Sequence, residues 1–76
     1  MMPRITKDNL DEVFTYHVPT PEQRECYAEI NEAAKAFAST VLRVCQSGRE
    51  QSIALTHIQE ARMMANAAIA LEHLAD

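Results

Sequence analysis

Tyr16 and His17 stand side by side in Thr15-Tyr16-His17-Val18-Pro19, immediately before a helix start at Thr20. A free helix N-terminus offers unbonded amides and partial positive charge, and an aromatic ring offers a flat face. Such a neighbourhood suits a phosphate and a planar base. Further along, Arg24, Ala28, Asn31 and Lys35 recur at spacings of three and four, which puts them on one helical stripe. Tyr16, Thr20, Arg24, Asn31 and Lys35 therefore form a first candidate ligand-binding set, in which Tyr16 stacks and a basic side chain meets phosphate. A plainer account of the same residues is solvated surface, with Lys35 paired to Glu32 and Tyr16 packed over the end of the helices.

A second polar set is Gln59, Arg62 and Asn66, on one face of a helix that is otherwise strongly apolar. A buried polar group without a partner costs a few kcal/mol, about 1–3 from mutational data, so each must meet water, a ligand or another chain. Around a rotational axis such residues become a ring. A ring of arginine and amide groups can bind an anion, and interchain hydrogen bonding that sets register accounts for it equally well.

Catalytic and metal chemistry find little to work with. His57-Ile58-Gln59-Glu60 reverses the Glu-x-x-His order of di-metal carboxylate bundles, and Cys26 and Cys45 lack zinc-site pairing. With Gly48 the single glycine there is no glycine-rich phosphate loop, and the three histidines sit in unrelated contexts. The expectation is a binder with no catalytic residues, no metal and no cofactor.

The elements that must hold these residues are helices. Thr6 has the type and position of an N-cap for a short helix over about 6–14, with Asp8 in its first turn and Leu10, Val13 and Phe14 as its apolar face. Residues 15–20 are held extended because the residue before proline is pushed out of the helical region. Thr20-Pro21-Glu22-Gln23 then combines an N-cap, a proline at the first helical position and capping-box spacing, opening a helix over about 21–46. Tyr27, Ile30, Ala34, Phe37, Val41 and Val44 form its expected seam. Ser47-Gly48-Arg49-Glu50 ends that helix on a left-handed glycine and supplies a second capping box for a helix over about 49–74. So short a turn makes the two long helices antiparallel neighbours. The fold class is all-α: a short N-terminal helix and a long antiparallel helical hairpin in one domain, 1–76.

The last helix is amphipathic at first, with Ile53, Ala54, Leu55 and Ile58 inward. From Met63 to Leu71 it is apolar around nearly its whole circumference, and such a helix must be buried on all sides. Two helices cannot do that, and 76 residues bury only about 60% of the unfolded surface. The stretch is read as a contact between copies of the chain, the alternative being an alanine-rich helix with one exposed apolar strip. Cys26 and Cys45, read within one helix, cannot bridge each other and are expected to be buried small hydrophobes in a reducing cytoplasm.

No leader segment is recognisable and the run from Met63 to Leu71 is far short of the about 20 residues that cross a bilayer, so a soluble intracellular chain is expected. With 7 basic against 11 acidic residues the chain lacks the footprint of a binder of long nucleic acid. Net charge does not exclude a small anionic ligand, since a few basic groups can dominate one pocket.

Three segments in order, Phe14-Thr15-Tyr16-His17-Val18-Pro19, Ala33-Ala34-Lys35-Ala36-Phe37-Ala38 and Glu60-Ala61-Arg62-Met63-Met64-Ala65-Asn66-Ala67-Ala68-Ile69-Ala70, resemble the phage anti-CBASS cyclic-nucleotide sponges. Their helical hairpin also occurs in the larger anti-Thoeris sponges. The resemblance spans about Leu10 to Leu71. It implies non-enzymatic homohexamers, in the cytoplasm of the infected bacterial host, that sequester cyclic di- and trinucleotides from their effectors. It also implies that Tyr16 is a base-stacking tyrosine and Lys35 a phosphate-contacting lysine, and that His17 and the polar positions Gln59, Arg62 and Asn66 face a trinucleotide pocket. Two positions depart from the pattern: Gln59 stands where relatives often carry a basic residue, and Arg62 where they often carry an aliphatic one. The implication therefore carries over more fully to the dinucleotide pocket. Two other readings compete: an oligomeric structural or adaptor module gripping another protein, and a nucleotide-cleaving enzyme.

Overall fold

Local hydrogen bonding sets the start of the central helix. In the computed structural model, which describes residues 4–74, Thr20 Oγ1 accepts from the Gln23 amide at 3.1 Å and Gln23 Oε1 accepts from the Thr20 amide at 3.0 Å. Proline follows at the first helical position, and α2 runs Pro21–Val44. Before it lies α1, Leu10–Phe14; after it α3, Arg49–Ala70, and a 3-10 turn, Glu72–Leu74. No strand occurs among the described residues, and α2 and α3 pack together as the hairpin. No helix of the described residues is long and apolar enough to cross a membrane.

Several expected boundaries move, each for a local reason. α1 begins at Leu10, not near Thr6, because Asn9 folds back: its Oδ1 accepts from the Thr6 amide at 2.8 Å and its Nδ2 donates to the Arg4 carbonyl at 3.0 Å. An asparagine offering the backbone these bonds competes with helix. The second capping box does not form; Gly48 is the N-cap of α3 without a side-chain bond, and Glu50 lies instead 3.8 Å from Arg49 in an exposed pair. Gly48 has φ 155° and ψ −168°, an extended conformation of positive φ open essentially to glycine alone, in place of the expected left-handed helical one. α3 ends at Ala70, where Gln23 Nε2 donates to the Ile69 carbonyl at 3.0 Å and so satisfies one of the four carbonyls a helix end leaves free. Gln23 thus caps its own helix and clamps the far end of α3.

The seam of α2 follows Gln23, Tyr27, Ile30, Ala34, Ala38 and Val41, so Phe37 and Val44, expected inside, are 61% and 63% exposed. Alanines at 34 and 38 let the helices approach closely, and the spacing of four turns the contact stripe away from Phe37. Cys26 and Cys45 are free and exposed rather than buried, one beside the seam residue Tyr27 and the other in the turn after α2. Met63 and Met64 are more than half exposed, while 65–70 are half-buried.

Among the described residues, Val41 and Leu71 are the buried hydrophobic side chains, and neither is wholly enclosed, at 6% and 5% exposure. The accessible surface is 6127 Å² for 8.5 kDa, where a compact monomer of that mass exposes about 4,650 Å². The radius of gyration, 15.2 Å, likewise exceeds the about 11 Å of a globule of this length.

Candidate functional site

Ala34 and Ile58 lie along the hairpin's midline, and the two flanks beside them differ in chemistry. One flank carries two adjoining concavities that share Asn31. The larger, about 530 Å³, has Tyr16 and His17 from the linker on one side, Tyr27 and Asn31 from α2 at its base, and Asn66 and Ala70 from α3 opposite. The smaller, about 310 Å³, brings together Lys35 from α2 with Gln59 and Arg62 from α3. On the other flank Ile30, Ala33, Phe37, Ala54 and Ala61 line an apolar groove of about 400 Å³. All three volumes fall within the about 300–1,000 Å³ usual for small-molecule sites, the smallest at its lower edge.

The structure regroups the candidate residues. Tyr16, His17, Asn31 and Asn66, drawn from both sets, converge on one concavity, and Lys35 joins Gln59 and Arg62 in the next. Thr20 and Arg24 line neither; the Thr20 hydroxyl is engaged in the capping box and Arg24 is exposed. Both amides of that box are therefore already bonded, which weakens the helix start as a phosphate seat. Tyr16 is 81% exposed, so it does not pack over the hairpin end; the half-buried Tyr27 does the packing. Lys35 forms no ion pair with Glu32 or any other carboxylate among the described residues.

One polar link joins the helices beneath the site. Asn66 Nδ2 donates to Asn31 Oδ1 at 3.3 Å, while Asn66 Oδ1 is buried without a partner. An orphan acceptor of this kind gains most from a donor brought by a ligand or a second chain. The floor that this pair and Tyr27 make was partly illegible beforehand, because Tyr27 reads as seam alone. Thr15 and His17 are held by bonds back into α1: Thr15 Oγ1 donates to the Asp11 carbonyl, and His17 Nε2 lies 2.6 Å from the Glu12 carbonyl. These bonds fix the linker that presents Tyr16.

Two of the three histidines pair with glutamate carboxylates, His57 Nδ1 with Glu60 Oε1 at 3.2 Å and His73 Nε2 with Glu12 Oε2 at 3.2 Å. Glu12, His17 and His73 form a cluster of possible metal-ligating groups that their distance in sequence hides. The site as a whole offers a flat aromatic face, paired amides and the cations Lys35 and Arg62, which form no ion pair among the described residues. Comparison with curated proteins and with solved structures finds no match. The family model described as the Acb2/Tad1 hairpin domain matches residues 6–70, and the chain belongs to that family.

Proposed function

We propose that the chain is a non-catalytic sponge, an oligomer of hairpins that sequesters cyclic di- and trinucleotides in the cytoplasm of the infected bacterial host and so blunts antiphage signalling. The observation that carries this reading is Tyr16, an aromatic ring held 81% exposed at the edge of a concavity floored by Asn31 and Asn66. A stacked base on Tyr16 would leave its exocyclic amine near the unpartnered Asn66 acceptor, and the neighbouring Lys35 and Arg62 would meet phosphates. Membership of a family of cyclic-nucleotide sponges supports the same assignment.

The unburied surface of the single hairpin supports assembly. The excess of about 1,500 Å² over a compact monomer is comparable to what a standard interface removes, about 800 Å² from each partner, taken more than once. The apolar flank around Phe37 and the exposed Met63 and Met64 supply that contact, and the family resemblance favours six copies. An adaptor role would instead leave this flank uncovered in the purified protein. Calorimetric titration with cyclic GMP-AMP, cyclic di-AMP and a cyclic trinucleotide tests the proposal, with ligand recovered intact after heat denaturation of the complex. Absence of binding at micromolar concentration would refute it, linear products would mark an enzyme, and native mass spectrometry reports subunit number and ligand stoichiometry together.

A further inference from the structure

We infer that Glu12, His17 and His73 form a zinc site that clasps the N-terminal arm to the turn after α3. One donor atom from each residue, a carboxylate oxygen and two imidazole nitrogens, lies within 4.8 Å of the others. The three come from α1, the linker and the C-terminal 3-10 turn, so the fold alone assembles them. His73 Nε2 stands 3.2 Å from Glu12 Oε2, and the two imidazoles meet edge-on with centroids 5.3 Å apart.

The Glu12 carbonyl orients the His17 ring through Nε2, and the site requires His17 to ligate through its other nitrogen, Nδ1. That Nε2 lies 2.6 Å from the Glu12 carbonyl, which can only accept, so Nε2 carries the proton and Nδ1 keeps its lone pair. A backbone carbonyl that orients an imidazole through its other nitrogen is the usual support of a metal-ligating histidine. Two imidazoles and a carboxylate with a fourth position for water make a donor set that zinc accepts, whereas magnesium and calcium prefer oxygen alone. Tetrahedral zinc with bonds of about 2.0–2.1 Å holds its donors about 3.3 Å apart, so the cluster must close by about 1.5 Å at most. Side chains of His73 and Glu12 that are 49% and 56% exposed have room for that rotation. The ion occupies the place of the proton between His73 and Glu12, and that proton moves to Nδ1 of the same ring. The site shares His17 with the lining of the larger concavity and so anchors the residue next to Tyr16, while its zinc uptake is read independently of nucleotide.

The test uses the full chain carrying Cys26→Ser and Cys45→Ser, because both thiols are exposed and thiolate is itself a zinc ligand that would compete. Zinc chloride is titrated by calorimetry and melting temperature is followed, with magnesium as the control. One zinc per chain is expected, raising the melting temperature by several degrees and reversed by a chelator. His17→Ala and His73→Gln each weaken uptake at least about tenfold, while His57→Ala leaves it unchanged. Circular dichroism of each variant confirms its helical content, and the more conservative His73→Gln decides should His17→Ala fail to fold. No uptake at about 100 μM zinc, or uptake equal in His73→Gln, overturns the site.

Discussion

Replacing Tyr16 by alanine separates a ligand platform from a packing residue, because the two roles make opposite forecasts on the same sample. A tyrosine buries about 150–250 Å² when fully enclosed, and Tyr16 is 81% exposed, so the chain covers only about 30–50 Å² of it. At about 25 cal/mol per Å² that contact is worth about 1 kcal/mol, and its loss lowers the melting temperature by about 4–8 °C at most. Stacking a base on the same ring is worth about 1–3 kcal/mol, so dinucleotide affinity falls by about 5- to 150-fold. Tyr16→Phe keeps the ring and should retain most of the affinity, since water can replace the hydroxyl at so exposed a position. Tyr27→Ala shows the opposite balance: half-buried on the seam as well as at the base of the concavity, it should cost about 2–3 kcal/mol of stability by the same area reckoning, well above the cost at Tyr16. Calorimetric affinity and thermal melting on the same three variants complete the assay. A Tyr16→Ala protein with unchanged affinity and sharply reduced stability would refute the reasoning.

Lys35→Ala should lower dinucleotide affinity about tenfold and flatten its dependence on ionic strength, by removing a charge-assisted phosphate contact; titrations at two salt concentrations check it, and an unaltered slope argues against the contact. Phe37→Asp should dissociate the assembly in light scattering while leaving the helical circular-dichroism signal intact, because the side chain is 61% exposed in the single chain and a charge there is costly only across an interface. Ala67→Asp is the less selective probe, since Ala67 is half-buried within its own hairpin. Gly48→Ala should cost about 1–3 kcal/mol in denaturant unfolding through backbone strain alone, because an added Cβ meets nothing within 4 Å while φ is 155°. A neutral substitution would show that the turn relaxes into another conformation.

The features legible in the amino-acid sequence were those whose partners lie within about one helical turn. Thr20 and Gln23 bond each other across three residues, Pro21 suits only a helix start, and a turn as short as Ser47-Gly48 folds two helices back on each other; none of this needs a tertiary contact. The apolar circumference of Met63 to Leu71 likewise declares in the sequence that one hairpin leaves surface uncovered. Tertiary structure decided what depends on which neighbour a side chain meets. The seam passes through Ala38 rather than Phe37 because close approach of α2 and α3 favours the smaller side chain, and heptad spacing does not carry that information. Asn66 joins Asn31 beneath Tyr16 only when α3 lies against α2, which draws the two polar stripes into one flank and leaves Thr20 and Arg24 outside it. Glu12, His17 and His73 meet because the linker returns to the C-terminal turn, a closure between chain ends that no local spacing can encode.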